Sequence, residues 1–167
     1  MATLNIAYSA SSALTITLAS LATSADRTAG RESTAISNAV TLYDDVFVGG
    51  KITTGTTPTV AKQIDIYVYA GVNDTPLYPD VLDGTDSDET FTSVNVQATS
   101  IRLLRSISVD ATSDRTYWVA PTSIAALFGG VMPRNWGLFV THDTAVNLNA
   151  TGSNHLWSYT GVTYTSA

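Results

Sequence analysis

The stretch QIDIYVYA, residues 63–70, has the repeat that decides the fold. Three aliphatic side chains, Ile64, Ile66 and Val68, alternate with polar or aromatic ones. Alternation with a period of two is typical of a β-strand, whose successive side chains point to opposite faces. Because the face opposite the aliphatic residues also carries bulk, in Tyr67 and Tyr69, the stretch predicts a strand at the centre of a sheet.

The same period recurs elsewhere in the chain. IRLLRSISVD, residues 101–110, places Ile101, Leu103, Ile107 and Val109 on one expected face, with Arg105 as a break and Leu104 as an apolar exception on the other. NWGLFVT, residues 135–141, is apolar on both faces. Further strand candidates are STAISNAVTLY (33–43), DDVFVGGKITTG (44–55), TYWVA (116–120) and HLWSYTGVTYT (155–165). Turn residues separate them, and we also read Gly49-Gly50 as a turn.

Many short strands joined by turns predict an all-β, single-domain β-sandwich, which we place at residues 29–167. PTSIAALFGG, residues 121–130, predicts one short connecting helix near 122–128, with a hydroxyl cap at Thr122 or Ser123 and Gly129 as the left-handed stop. Residues 1–28 leave two alternatives open. They form an edge strand, with Leu14, Ile16 and Leu18 on one face, or an arm ordered only on a neighbour.

Composition excludes several classes of function. Charged residues make up 13% of the 167 residues, against about 25% in an average soluble domain. The net charge of −6 argues against direct nucleic-acid binding, which needs a basic surface. The absence of cysteine removes disulfides, thiol catalysis and thiolate metal sites. No stretch approaches the roughly 20 apolar residues of a membrane span, and the N-terminus lacks the basic region of a signal peptide.

The most acidic stretch is YPDVLDGTDSDETF, residues 78–91. It supplies carboxylates for a calcium site, but DGTDSDE does not match the D-x-[DN]-x-[DN]-G spacing of a calcium loop. The other interpretation is a solvated loop at residues 80–89 whose aspartates cap turns and keep the surface soluble. We favour the loop and predict no metal site.

No catalytic or cofactor signature is found. The two histidines, His142 and His155, lack the H-E-x-x-H spacing of a zinc site, and the chain has no G-x-S-x-G elbow for a serine nucleophile. GGKITTG, residues 49–55, lacks the frame of a phosphate-binding loop. We therefore predict a non-enzymatic protein without catalytic residues, cofactor or metal, whose histidines bond to the backbone.

The aromatic residues raise a carbohydrate hypothesis. Sugar-binding sandwiches expose flat rings on one sheet, and this chain has Trp118, Trp136 and Trp157, with Tyr43, Tyr78, Tyr117, Tyr159 and Tyr164. Trp157 is the ring on which we expect such a site to depend. Aromatic residues of sandwiches lie in the core more often than on a platform, and Tyr159 and Tyr164 face opposite ways on one strand. The core interpretation is therefore preferred.

Four segments carry a family resemblance: AGREST (29–34), VGGKITTGTTPT (48–59), NDTPLYPDVLDGTDS (73–87) and LFGGVMPRNWGLFVTHDTAVNLNATG (127–152). Over roughly residues 29–163 the chain resembles small β-rich virion proteins of tailed bacteriophages, above all those taken to be capsid decoration (cement) proteins. The resemblance implies a jelly-roll-like sandwich, made in the host cytoplasm and bound to the outer capsid surface. Its implied partners are the major capsid protein and copies of itself, commonly in a trimer. It transfers no active-site residue.

Three functions follow as hypotheses. The leading one is a structural virion protein of the capsid decoration type, and low Lys and Glu content is typical of chains that bury surface against neighbours. The alternative is a tail or fibre domain that binds host-surface carbohydrate. A sandwich-type hydrolase is the weakest, since no paired carboxylate motif is present.

Overall fold

The computed structural model describes residues 4–166, and strands dominate it. The strands are β1 (Leu4–Tyr8), β2 (Ser12–Ala13), β3 (Ala29–Glu32), β4 (Ile36–Ser37), β5 (Asp45–Thr53), β6 (Gln63–Ala70), β7 (Asp88–Thr90), β8 (Arg102–Ser108), β9 (Thr116–Ser123), β10 (Asn135–His142) and β11 (Leu156–Ser166). The helix α1 spans Val94–Ser100, and two 3-10 turns span Ala125–Phe128 and Gly152–Asn154.

The strands form two antiparallel sheets. The five-stranded sheet has the order β1-β11-β5-β9, with β2 also pairing β11. The six-stranded sheet has the order β7-β3-β10-β6-β8, with β4 also pairing β10. The short strands β2, β4 and β7 can be left out and the other eight strands numbered 1 to 8 along the chain. The strand orders of the two sheets are then 1-8-3-6 and 2-7-4-5. This is the strand order of a jelly roll, so the predicted jelly-roll-like sandwich is confirmed.

The main core lies between the two sheets. β6 and β10 are neighbours in the six-stranded sheet and supply its inner face, with Ile64, Ile66, Val68, Trp136, Leu138 and Val140 all fully buried. The central position predicted for β6 is therefore correct. Opposite them, the five-stranded sheet contributes Val48 and Trp157. Trp136 meets the ring of Tyr159 edge-on at 5.5 Å, which joins the two sheets.

A second, smaller core lies on the outer face of the six-stranded sheet. Tyr69 and Phe139 point away from the main core, and the segment 78–101, which includes the acidic stretch and α1, covers them. Phe91 packs edge-on against Phe139 at 5.1 Å, and Tyr78 against Tyr69 at 5.4 Å. This cover explains why β6 and β10 are bulky on both faces.

Two details of the strands differ from expectation. The pairing of β8 with β6 contains a register shift: Ile66 pairs with Arg105, but the next residue, Tyr67, pairs with Leu103. Leu104 is therefore the extra residue of a β-bulge. Leu104 therefore points inward with 9% of its surface exposed, and Leu103, expected inside, is 48% exposed. Gly49-Gly50 is not a turn but lies within β5, at a second register shift opposite β9.

The predicted connecting helix is shorter than expected. Because β9 continues to Ser123, the helix is reduced to the 3-10 turn Ala125–Phe128. Ser123 Oγ accepts the N–H of Ala126 at 3.1 Å, and Gly129 ends the turn in the left-handed region at φ 74°. The candidate strand 33–43 is also mostly irregular, since only Ile36–Ser37 pairs in a sheet.

The first part of the chain is attached to the sandwich. β1 pairs with β11 at the edge of the five-stranded sheet. Residues 14–21 then run outside any strand, but Leu14, Leu18 and Leu21 are buried in the main core and Ile16 packs against it. Within residues 4–166, no helix has the length and apolar character needed to cross a membrane.

Candidate functional site

The outer face of the five-stranded sheet carries a groove of about 420 Å³, here called the outer groove. Its wall residues come from four strands or their ends: Tyr8, Phe47, Gly49, Gly50, Trp118, Val119, Pro121, Leu156, Ser158 and Thr160. None of these described residues is charged. A volume of this size is within the usual range of ligand pockets, so the groove can hold a bulky group.

Strand register brings the groove residues together. Lys51 of β5 pairs with Leu156 on one side and with Trp118 on the other, so these three side chains share one face of the sheet. Tyr8 reaches the same face from β1, since it pairs with Val162 of β11. Trp118 is 73% exposed, and Tyr8 and Leu156 are also more than half exposed. Large apolar side chains clustered on an open face are typical of an interaction site.

Two glycines form the floor of the outer groove. A Cβ added to Gly50 would collide with the carbonyl oxygen of Leu156 and with the Trp157 ring. A Cβ added to Gly49 would lie 2.9 Å from the carbonyl oxygen of Val119. Neighbouring backbone therefore approaches β5 closely at these positions, which is a common reason for glycine within a strand.

The three tryptophans have different roles. Trp136 and Trp157 are buried in the main core, so the preferred core interpretation holds for both and the expected dependence of a sugar site on Trp157 is wrong. Trp118 alone of the three is exposed, on the outer groove. Tyr8 also lines this groove, and sequence reasoning missed it because residues 1–28 had no assigned strand register.

The acidic stretch forms a loop, but one attached to the sheet. The Asp86 carboxylate accepts a hydrogen bond from Arg31 Nε at 2.7 Å and bonds from the N–H and hydroxyl of Thr17 at 2.9 and 2.6 Å. Burial works to raise the pKa of Asp86, but the bonds from Arg31 and Thr17 outweigh it and leave the pKa below its ordinary value. Asp88 contacts Arg31 at 3.1 Å with a mostly exposed carboxylate.

Glu32 of β3 binds the same loop through hydrogen bonds from the loop backbone. Its Oε1 accepts three backbone N–H groups in succession, from Asp83 at 3.1 Å, Gly84 at 2.9 Å and Thr85 at 3.0 Å. The side chain is fully buried and Oε2 has no hydrogen-bond partner. Burial, together with the neighbouring Asp83 carboxyl, raises the pKa of Glu32 to about 7. Consecutive N–H groups that converge on one oxygen form an anion-binding nest, here occupied by a side chain of the protein itself.

Other carboxylates also serve the fold. Asp65 and Asp143 are both buried, and Arg27 lies between them, with Nε 2.8 Å from Asp65 and an Nη 3.0 Å from Asp143. Ser106 donates to Asp65 at 2.5 Å. Lys62 Nζ lies 3.5 Å from the same Asp143 oxygen, so two cations face the two buried carboxylates. Within residues 4–166, no group of three or more His, Asp or Glu side chains is arranged to hold a metal ion.

Both histidines bond to structural partners. His142 is buried, with Nδ1 3.0 Å from Thr144 Oγ1 and Nε2 3.1 Å from the carbonyl oxygen of Leu21. His155 Nε2 lies 2.9 Å from the carbonyl oxygen of Asn149. Burial lowers the pKa of each imidazole, which favours the neutral ring. The backbone bonding predicted for the two rings is present in the structure.

Comparison of the chain with protein-family models, with curated proteins and with solved structures finds no match in any of the three.

Proposed function

We propose that the chain is a non-enzymatic structural protein of a phage virion, a capsid decoration protein that binds the outer capsid shell through the outer groove. The observation that carries this proposal is the largely exposed Trp118 side chain on a groove whose described lining carries no charged side chain. Lys51 lies on the same sheet face but does not line the groove. The jelly-roll strand order supports it by analogy, since viral capsid domains use this architecture, though one fold serves many functions.

The chemistry of the outer groove defines the partner it fits. Its described lining offers aromatic and aliphatic carbon, and its side-chain polar groups are the hydroxyls of Tyr8, Ser158 and Thr160 and the indole N–H of Trp118. Such a surface fits an aliphatic or aromatic side chain from a shell subunit, because neither protein then buries a charged group without a partner in the groove. Exposed Trp residues are frequent energetic centres of protein interfaces, because one ring buries a large area with few rotatable bonds.

The mechanism follows from stiffness and buried area. The groove lies on paired strands, with Trp118 on β9 and Leu156 on β11, and both strands pair with β5. A partner side chain held there is therefore fixed to a rigid sandwich rather than to a mobile loop. A subunit that buries area across a junction of the shell raises the free energy needed to separate that junction.

A second candidate function is binding of host-surface carbohydrate by a tail or fibre domain. The specific observation that favours it is that the exposed Trp118 ring and the Ser158 and Thr160 hydroxyls line one groove, since a pyranose offers a C–H face for stacking and hydroxyls for hydrogen bonds. Jelly rolls also include lectin domains. The lining has no carboxylate or amide side chain to orient sugar hydroxyls, so the protein partner is preferred.

The copy number of the chain in purified particles tests the proposal. Quantitative mass spectrometry of particles from the virus that encodes the chain should find it at a level comparable to that of the major shell protein. A handful of copies per particle would favour the tail or fibre candidate, and the absence of the chain from particles would contradict both. Calorimetric titration with host-surface polysaccharide, compared between wild type and Trp118→Ala, then tests the carbohydrate candidate directly.

A further inference from the structure

The four outer edges of the two sheets are protected to different degrees. The sheet orders place β1 and β9 at the edges of one sheet and β7 and β8 at the edges of the other. An exposed edge strand presents unpaired N–H and C=O groups, and proteins usually block such edges by shortness, charge, proline or a bulge. Any edge without these features is a candidate for pairing with another chain.

Three of the four edges carry such protection. β7 is only three residues long and includes two acidic side chains, Asp88 and Glu89. β8 carries two arginines and the bulge at Leu104. β9 includes Pro121, which has no N–H to donate. Pairing of another strand along these edges is therefore opposed by charge, by irregular register or by a missing donor.

β1 has none of these features. Its five residues, LNIAY, include no charge and no proline, and its register against β11 runs without a shift from Leu4 to Tyr8. All five residues are exposed, and Ile6 leaves 55% of its surface in solvent. An uncharged, regular and apolar edge left open in a monomer is a site of self-association.

The backbone of β1 is oriented for that pairing. Ser9 N–H donates to the Gly161 carbonyl at 2.9 Å, which marks the odd-numbered residues as the ones hydrogen-bonded to β11. Because antiparallel ladders alternate, the N–H and C=O groups of Leu4, Ile6 and Tyr8 point to the open edge. The same three residues carry the large side chains, so the open backbone groups and the exposed apolar surface coincide.

We infer that β1 pairs with β1 of a second copy of this chain, antiparallel and centred on Ile6, so that the two five-stranded sheets join into one. The strand is self-complementary in this register: Ile6 lies opposite Ile6 of the second copy, and Leu4 lies opposite Tyr8. Each facing pair exchanges two N–H···O bonds. The two outer grooves then lie on one continuous face, because Tyr8 borders each of them.

A two-fold pair differs from the trimer that the family resemblance implies. An isologous contact closes with two copies, whereas a trimer needs a head-to-tail contact between different surfaces. This inference does not depend on the proposed function, since the edge is open whatever the groove binds.

The test is the solution mass of the full chain across a range of concentrations. Light scattering after size exclusion should show wild type approaching twice the 17.6 kDa chain mass as concentration rises. Ile6→Pro should remain monomeric and folded, because it deletes only an N–H that points to the open edge. Ile6→Lys should act in the same way through charge repulsion. Val60→Lys, which adds the same charge at an exposed residue outside β1, should dimerise like wild type.

Hydrogen exchange gives a second readout. The Ile6 amide should gain protection as wild-type concentration rises, while the amides of Asn5 and Ala7, already bonded to β11, should not change. A wild type that stays monomeric at high concentration would overturn the inference. So would a trimer, or a dimer that persists in folded Ile6→Pro and Ile6→Lys.

Discussion

The backbone N–H of Gly84 donates a 2.9 Å hydrogen bond to Oε1 of Glu32, a side chain that is wholly buried. Asp83 and Thr85 donate to the same oxygen, so one carboxyl group of β3 fixes the turn at the centre of the acidic stretch. That turn belongs to the segment 78–101, which covers the second core. Attachment of the acidic stretch therefore stabilises the outer layer of the six-stranded sheet.

Glu32→Ala should destabilise the protein. The substitution leaves three backbone N–H groups without their acceptor and opens a space in a buried site, for which we expect a loss of about 2–3 kcal/mol in the free energy of unfolding. Glu32→Gln is the matched control, because its amide oxygen can accept the same bonds, and it should cost less than about 1 kcal/mol at pH 7. Urea unfolding measures both. Equal losses in the two variants would show that the Oε1 bonds do not hold the turn.

Stability should also depend on pH through Glu32. Its folded-state pKa of about 7 lies above its ordinary value of 4.5, so its contribution is fully present below about pH 4.5 and is lost as pH rises through 7. Between pH 5.5 and 8, wild type should lose about 2 kcal/mol relative to Glu32→Gln, which has no titrating group at this position.

The other groups with shifted pKa values do not affect the comparison of wild type with Glu32→Gln. His142 and His155 have lowered pKa values, so they destabilise the fold as pH falls, but they are present in both proteins and cancel in the difference. Asp83 and Asp86, also with lowered pKa values, titrate below the chosen window. A difference between wild type and Glu32→Gln that stays constant from pH 5.5 to 8 would contradict the buried, partly protonated carboxyl.

Asp86 and Asp88 should behave differently although both contact Arg31. Asp86 has a side chain that is 16% exposed and also accepts two bonds from Thr17, whereas the Asp88 side chain is 75% exposed. We expect Asp86→Asn to cost about 1–2 kcal/mol and Asp88→Asn to cost less than about 0.5 kcal/mol. Thermal unfolding with calcium and with a chelator checks the same variants. A chelator-sensitive melting temperature in the wild type would instead reveal a metal site in this stretch.

The β-bulge in β8 can be tested with two adjacent leucines. Leu104→Ala should cost about 2–4 kcal/mol because Leu104 packs in the main core, and Leu103→Ala should cost less than about 1 kcal/mol because its side chain is largely in solvent. Chemical unfolding of the two variants decides between the bulged strand and regular alternation. The reverse order of losses would mean that the strand has no bulge.

Alternation was a reliable guide where a strand is regular. β6 pairs with β10 without a register shift, and its alternating residues Ile64, Ile66 and Val68 all lie in the main core. In β8 the bulge is marked in the sequence only by Leu104 and Arg105, which break the alternation of apolar and polar residues. Such breaks also occur in strands without a bulge, so the pattern of one strand does not identify it. A bulge depends on the partner strand, and the sequence of one strand does not contain that information.

The helix α1 and the buried position of Glu32 were not predicted, for related reasons. α1 is a single seven-residue helix with two valines, which favour strands, and its one local signal is Ser93, whose hydroxyl accepts the N–H of Val96. Glu32 and the turn at Gly84 are distant in sequence, so no local pattern links them. The outer groove was missed likewise, because it combines residues from both ends of the chain through sheet pairing.

The central claim is that the chain attaches to a neighbour through the outer groove. The measurement that tests it most directly is the binding of purified Trp118→Ala, compared with wild type, to virus particles that lack the chain. Because Trp118 is 73% exposed, the variant should unfold at the same urea concentration as wild type. We expect its affinity for the particles to fall at least about tenfold, as for an interface centre worth more than about 1.4 kcal/mol. A folded Trp118→Ala protein that binds the particles as tightly as wild type would contradict the account.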